Sequence, residues 1–585
     1  MVLTLLTTLH FALFYMPGLA CAFVLAERLR LSTPQFYAVV LASSCSLGYL
    51  AFWAYVGDPI LGRAFSALVI AGSGLYCIVH RDLFWRGGRL QLWFPLIATF
   101  FLTLFYLGLG FLFGGLDQPL VTARVRFTHP LPVDNMLSLT FADILANEKP
   151  SSDFMGERWN MSDRPPLQAG ITLLYSPLFG MYKVLQYQIL GVLLQTSVLL
   201  GMWFFIDIFQ SARLEKAKAL LFVILSYFLL IHSFYTWPKL LPAGLVLIGY
   251  QLLHTSAGQK NPTDQTVAGV MIGTVFTLAM LGHGGTIFAL IGIGLILLAT
   301  RRLPARRILL AAVIAGAVLY LPWLGYQRYI DPPGDRLIKI HLGGQHELTS
   351  LSAFETIRTS YSRLSPEEIL EKKGLNLAFV LWLSPLSSAP QVFEAFRSGA
   401  LDKGLEILRT GFFFHLFLTI AIPLFGLFVV PFKLKKRVEI DVPESRRIFL
   451  VGIVGVLAWV LMLFGYPEAV AAVHHGSYFY PIVLMIAPVL VAGSYSGSWS
   501  FFLLLLQGLL FLLWIPLPPN GLDLVPARET LLANGFQAGF GLLALLAFLG
   551  LLSVLGYAAI SPQETNPALY VPPDRQVRGQ VGEKC

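Results

Sequence analysis

The sequence predicts an all-α polytopic membrane protein, and three observations carry that reading: the composition, the length of the apolar runs, and the placement of the basic residues. Of 585 residues, 56% are hydrophobic and 12% charged, with a mean hydropathy of +0.70. So few charges cannot cover a water-facing surface, so lipid is the expected solvent and the bilayer an expected partner. The runs lack the ten-residue alternation of a membrane barrel, and hydrocarbon offers no partner to an open backbone, so the spans are expected to be helices.

A crossing needs about 20 mostly apolar residues. Fifteen stretches qualify or nearly so: 3–25, 36–56, 60–79, 90–113, 188–209, 219–234, 241–253, 267–281, 287–299, 308–326, 412–430, 448–464, 478–492, 501–515 and 535–558. Several are short enough to be re-entrant, so about 13 to 15 crossings are expected.

The net charge of +9 does not point to nucleic acid, because the basic residues sit in short links between apolar runs and not on one face. Arg28 and Arg30, Arg81, Arg86 and Arg89, Arg213, Lys216 and Lys218, then Arg301, Arg302, Arg306 and Arg307 occupy alternate connections. The series continues through Lys433, Lys435, Lys436, Arg437, Arg446 and Arg447 to Arg575, Arg578 and Lys584 in the tail 559–585. The positive-inside rule places these in the cytoplasm, with the N-terminus outside and the C-terminus inside. Cys21, Cys45, Cys77 and Cys585 lie too far apart to suggest a disulfide framework or zinc site. The start lacks a basic n-region and is read as the first span.

Two long connections, 114–186 and 329–410, fall on the same outer side. Connections of that length are functional or disordered, and order is favoured here by the apolar pieces 171–185 and 375–386, expected to lie in the interface or form a lid. Solvated spacers are the alternative.

The first connection holds Pro132-Val133-Asp134-Asn135, an apolar-spaced stretch to Leu145, and then Trp159-Asn160-Met161-Ser162-Asp163-Arg164-Pro165-Pro166-Leu167. The spacing predicts a helix along the bilayer surface with the Asp134 carboxylate near its N-terminus. From these residues alone, capping that helix and acting in catalysis are equal readings of Asp134. Arg164 reads equally as an anion ligand or as the structural partner of Asp163 or Glu157. Lys239, in Tyr235-Thr236-Trp237-Pro238-Lys239-Leu240, reads as an anion ligand or a snorkelling anchor. His283 lies in a Gly-His-Gly turn, and His474 and His475 precede Gly476-Ser477-Tyr478-Phe479-Tyr480-Pro481. The adjacent histidines at a helix entrance suit a phosphate or a metal.

In order and spacing these pieces resemble the GT-C superfamily of membrane glycosyltransferases, especially the group of protein O-mannosyltransferases and the lipid A aminoarabinose transferase. Asp134 and Arg164-Pro165-Pro166-Leu167 are similar to that group's outer-loop acid and its basic residue before Pro-Pro-Leu. The chain departs from the pattern at Asn135, where a second acid is common, at His283, where Lys is usual, and before Tyr478-Phe479-Tyr480-Pro481, where an Arg is missing. The resemblance covers 90–492 as a catalytic module, with 1–89 and 493–558 as additional helices. It implies a GT-C-like bundle in a bacterial inner membrane, transferring a sugar at the periplasmic face from a polyprenyl-phosphate donor to a saccharide, lipid or protein acceptor, with inversion. Asp134 is the implied base, and Asn135, Asp163, Arg164, Lys239, His283, His475 and Tyr478 are the implied donor-side residues. A divalent metal held by Asp134, His474 or His475 stays open. A transporter or flippase is the other class, but no internal repeat and few mid-helix charges are found. A lipid-linked saccharide ligase or polymerase would share the donor, though its large loop generally lies late in the chain.

Overall fold

The computed structural model describes residues 1–29, 31–81, 90–127, 131–151, 154, 159–209, 212–383, 388–429, 442–465, 476–512 and 536–561. Among them there is no strand, only an isolated antiparallel bridge between Phe113 and Phe536. The helices of the first half are α1 (Val2–Leu29), α2 (Thr33–Gly57), α3 (Pro59–Val79), α4 (Leu90–Gly110), α5 (Pro119–Val125), α6 (Leu137–Ala146), α7 (Leu167–Tyr175), α8 (Lys183–Thr196), α9 (Val198–Phe205), α10 (Arg213–Ile224), α11 (Tyr227–Phe234), α12 (Leu240–Ser256) and α13 (Pro262–Gly282). There follow α14 (Thr286–Ala299), α15 (Arg306–Gly325), α16 (Arg336–Gly343), α17 (Ala353–Ser362), α18 (Pro366–Val380), α19 (Ala389–Arg397), α20 (Leu401–Phe414), α21 (Leu416–Val429), α22 (Val442–Met462), α23 (Phe479–Tyr495), α24 (Gly497–Leu512) and α25 (Ala538–Ile560).

Nine described helices are long and apolar enough to cross a membrane, two bent pairs (α10 with α11, α20 with α21) raise the number to eleven, and four shorter apolar helices (α12, α14, α23, α24) accompany them. Each of the fifteen apolar stretches coincides with one of these. The chain is therefore a polytopic helical protein fitted to a bilayer.

Burial orders the bundle. In the span Gly180–Phe209, 94% of the most apolar window is buried, against 11% in Pro59–Val79 and in Arg306–Ile330, so α8 and α9 form the central post while α3 and α15 are peripheral. The first helices pack onto that centre: Tyr15 Oη and Ser197 Oγ lie 2.6 Å apart, and Tyr175 Oη donates to Leu13 O at 2.8 Å. Opposite, α4 packs with α25, α13 with α15, α14 with α22 and α22 with α23.

Local chemistry sets the ends. Asp58 starts α3 by accepting from Ile60 N at 2.7 Å and Leu61 N at 3.0 Å, with Pro59 at the first helical position. Ser352 with Glu355 and Ser365 with Glu368 form capping boxes for α17 and α18, the start signals of helices that end in water.

Both long connections are built of packed helices, so the solvated-spacer alternative does not hold for their described parts. Asn376 of α18 donates to Val460 O and Leu463 O at the end of α22, each at 3.3 Å, and Phe464 N donates to His341 O at 2.9 Å. One expectation is corrected: the piece 171–185 does not lie as a unit in the interface. Every residue of α7 is buried, with Gly170 pressed so closely on Gly48 of α2 that a Cβ there would sit 2.3 Å from Gly48 O. A helix that abuts a neighbour's backbone is core, and small residues make that approach possible. Of 375–386, residues 384–387 lie outside the described residues and the start belongs to α18.

Candidate functional site

Asp134 lies in a 3-10 turn, Val133–Met136, that leads into α6. The expected helix is there, but Asp134 does not cap it: the residue before α6 is Met136, without a side-chain cap. The carboxylate instead pairs with Arg164, Oδ1 to Nη2 3.0 Å, the two side chains being 17% and 19% exposed. This overturns pairing of Arg164 with Asp163 as the structural reading. Glu157 lies outside the described residues.

The backbone on either side of Asp134 is held by tyrosine hydroxyls, Tyr235 Oη donating to Pro132 O at 2.8 Å and Tyr187 Oη to Asn135 O at 2.9 Å. Asn135 is wholly buried and its Nδ2 donates to Leu120 O at 3.0 Å, so it anchors α5 and turns away from the ion pair. The backbone that carries Asp134 is thus fixed by hydrogen bonds at the residues on either side of it, as a preorganised site requires.

Arg164 stands in extended backbone between a short 3-10 turn, Met161–Asp163, and the Pro165-Pro166 start of α7. Prolines there exclude α-helix for the preceding residue and keep Arg164 out of α7. Its guanidinium lies 4.9 Å from the Trp159 ring centre, a ring that Arg336 also faces at 4.6 Å, and its buried Nε has no hydrogen-bond acceptor among the described residues. Asp163 is spent on backbone, accepting from Asn160 N at 2.9 Å and Arg336 N at 3.1 Å, and burial pushes its carboxyl above the usual range. Asp331 of the second long connection accepts from Ser162 N at 2.7 Å, and Gln327 Nε2 donates to Ser162 O at 2.9 Å. Both long connections therefore meet at the Arg164 turn.

Lys239 is 2% exposed, which rules out a snorkelling anchor. Its Nζ sits 3.7 Å from the Trp237 ring centre and 5.2 Å from that of Tyr478, with no carboxylate paired to it among the described residues. Burial presses its ammonium well below the ordinary lysine range, Asp134 pulling it back up and Arg164 adding to the push. The same electrostatic neighbourhood includes His341, held down to about 4 by burial and by the charges of Lys239 and Arg164.

A chain of buried amides joins the Lys239 turn to the Asp134 turn. Gln195 Oε1 accepts from Lys239 N at 3.2 Å and Leu240 N at 2.9 Å, while Gln195 Nε2 donates to Gln168 Oε1 at 3.2 Å. Gln168 Nε2 then reaches Tyr187 Oη at 3.2 Å and Thr236 O at 3.1 Å, and Tyr187 closes on Asn135. Thr236 holds φ +58°, the one strained position of this turn.

Tyr478 was expected on the donor side, and its ring does face Lys239; its hydroxyl lies 2.7 Å from His232 Nδ1. His232, Gln168, Tyr187, Gln195 and Tyr235 were not anticipated. His283 lies at the α13–α14 turn, where its Nδ1 accepts from Gly285 N at 3.1 Å, a local bond that shapes the turn. His474 and His475 lie outside the described residues. Among the described residues no cluster of three or more His, Cys, Asp or Glu side chains could hold a metal, and the group facing Asp134 is a guanidinium.

Among the charged groups at this end of the bundle are the Asp134 carboxylate, the Arg164 guanidinium bound to it, and the buried Lys239 ammonium resting on aromatic faces. That set can take a proton and receive an anion. No family model, no curated protein and no solved structure matches this chain.

Proposed function

We propose that the chain is a membrane glycosyltransferase of GT-C type that moves a sugar from a polyprenyl-phosphate donor to an acceptor hydroxyl at the periplasmic face of a bacterial inner membrane. The observation that carries the reading is the Asp134–Arg164 pair beside the buried Lys239 ammonium, which has no paired carboxylate among the described residues, all at the end where both long connections converge. A phosphate leaves as a stable anion, so its side of the reaction needs cations, while the acceptor hydroxyl needs a base.

Arg164 occupies one oxygen of the Asp134 carboxylate. A donor phosphate settling on Lys239 competes for the guanidinium, whose fork can serve both anions. As Arg164 turns to the phosphate, the Asp134 oxygen it held is released to accept a proton. It takes the acceptor proton, the acceptor oxygen bonds to the anomeric carbon, and the bond from that carbon to the phosphate oxygen breaks with its electron pair going to phosphate. Attack opposite the leaving group inverts the anomeric centre.

The test is transfer of label from a polyprenyl-phosphate monosaccharide in membranes containing the protein. Asp134→Asn should fold, extract and migrate as the parent does and lose at least about a hundredfold in rate, the usual contribution of a general base. A folded Asp134→Asn protein within twofold of the parent would remove the base from the proposal. Substrate counterflow without transfer would place the chain among transporters.

A further inference from the structure

A second charged cavity lies on the other side of α6. It encloses about 170 Å³ between the end of α2, the start of α3, α6 and the turn that leads from α7 into α8, with Tyr55, Arg63, Asp143, Asn147, Ser176 and Lys183 on its wall. Asp143 follows Asp134 by nine residues along one nearly continuous helical segment, which turns it about half a revolution round the axis at 100° per residue and puts the cavity on the face away from Asp134.

The wall carries two cations, Arg63 and Lys183, against one acid. Its acid, Asp143, is held by Lys183, accepts from Asn147 Nδ2 at 2.7 Å, and is also bound at 2.6 Å by Lys149 from beside the cavity. Burial of Asp143 is outweighed by those lysines, which hold its carboxyl below the usual range. The nearby Asp58 is engaged in capping α3, and Glu148 is exposed and off the wall. Arg63 is exposed, with Nη2 donating to Ala146 O at 2.9 Å, which leaves most of its fork free to take a further acceptor. Arg63 and Lys183 thus stand at the one end of the spans where the positive-inside rule predicts depletion of such residues.

The surroundings say what reaches this cavity. Ile60, Leu61, Leu178, Met181, Tyr182 and Val184, close in sequence to the wall residues Arg63, Pro177, Gly180 and Lys183, are exposed, Met181 by 90%. These side chains sit where α2, α3 and α8 end, at the depth at which a bilayer changes from hydrocarbon to headgroups. A cavity whose wall holds one more cation than acid, next to exposed apolar side chains, fits a ligand with an anionic head and hydrocarbon tails, and its volume accommodates a phosphate-sized head.

We propose that this cavity binds the phosphate of an anionic glycerophospholipid, gripped by Arg63 and Lys183, with the acyl chains lying against those exposed apolar side chains. The lipid then braces the C-terminal end of α6, whose other end leads from Asp134. The proposal stands apart from the transferase reading and needs no sugar substrate for its test.

The full chain in nanodiscs of phosphatidylcholine is compared with nanodiscs containing phosphatidylglycerol, reading the thermal midpoint and the retained lipid by native mass spectrometry. Phosphatidylglycerol should raise the midpoint and leave a retained adduct. Arg63→Gln should weaken that adduct about tenfold, the effect of one charge-assisted hydrogen bond, and Arg63→Lys should restore part of it. Reading the difference between two bilayers for each variant removes any general loss of stability. Equal midpoints for the parent protein in the two bilayers overturn the proposal, as does a phosphatidylglycerol adduct unchanged in Arg63→Gln with Lys183→Gln. Stabilisation by millimolar inorganic phosphate equal to that by phosphatidylglycerol overturns the lipid as the source.

Discussion

A lysine ammonium set between Trp237 and Tyr478 with only aromatic faces against it has an obvious electrostatic need. Cation–π contact supplies about 0.5–2 kcal/mol, less than the several kcal/mol that dehydrating an ammonium costs, so an arriving anion has much to gain there. This gives a pH dependence with a definite sign. Burial depresses the free-site ionisation of Lys239, and a bound phosphate raises it again, so anion binding takes up a proton above the depressed value. Donor affinity should be flat at acid pH and then fall, by up to about tenfold per pH unit, as pH climbs through the depressed range towards that of an ordinary lysine. Lys239→Arg should abolish that slope, since guanidinium stays charged. Dissociation constants for the donor lipid between pH 5 and 10 check this, and parallel curves for the two proteins would count against it. At Tyr478 the ring and the hydroxyl separate cleanly. Tyr478→Phe keeps the face under Lys239 and loses only the 2.7 Å contact with His232, so donor affinity should change less than about threefold, whereas Tyr478→Leu should weaken it by about five- to thirtyfold as the cation–π contact goes.

At the level of elements, α7 is the piece on which the site hangs: Arg164 stands just before it, its first turn carries Gln168, and Gly170 fixes it to α2. A methyl group on Gly170 would meet Gly48 O at 2.3 Å, and backbone cannot yield as a side chain can. Gly170→Ala should therefore destabilise by about 1–3 kcal/mol and lower transfer by shifting Arg164. Gly72→Ala is the matched control, since nothing lies within 4 Å of its would-be Cβ, and it should leave the thermal midpoint unchanged or slightly higher. If the two variants melt together, the α2–α7 contact is not the constraint described. The apolar runs were legible because hydrocarbon demands length and purity, and all fifteen stretches fall on helices. The course of α7 was not legible, because a nine-residue apolar helix reads the same whether it lies on a bilayer or inside a bundle. Gln168 and Gln195 escaped notice because isolated amides within apolar runs carry no periodic signal, and their meaning appears only when the helices bring them to 3.2 Å. For Arg164 the sequence offers the nearby Asp163 or Glu157 as structural partners beside an anion-binding role, whereas the carboxylate it meets, Asp134, stands thirty residues back and is brought there by folding.

The whole molecule separates its charges by end. Asp134, Arg164, Lys239 and His341 gather where the long connections meet. The far ends of other spans gather a different set: Glu444, 1% exposed, contacts Arg447 and lies 3.5 Å from Arg302 and 3.6 Å from His254, while Lys216 meets Asp207 at 2.7 Å. Arg302, Arg447 and Lys216 are among the residues that the positive-inside rule assigns to the cytoplasm. The sidedness of both ends can be read in a single experiment. With Cys21, Cys45, Cys77 and Cys585 replaced, a lone cysteine at Leu348 or Asn160 should react with a membrane-impermeant maleimide on intact cells. One at Leu303, exposed in the short link between α14 and α15, should react only after the membrane is opened. The reverse pattern would turn the bundle over and put Asp134 in the cytoplasm. A nucleotide sugar would then be the accessible donor, and the case for a carrier-lipid phosphate on Lys239 would lose its setting.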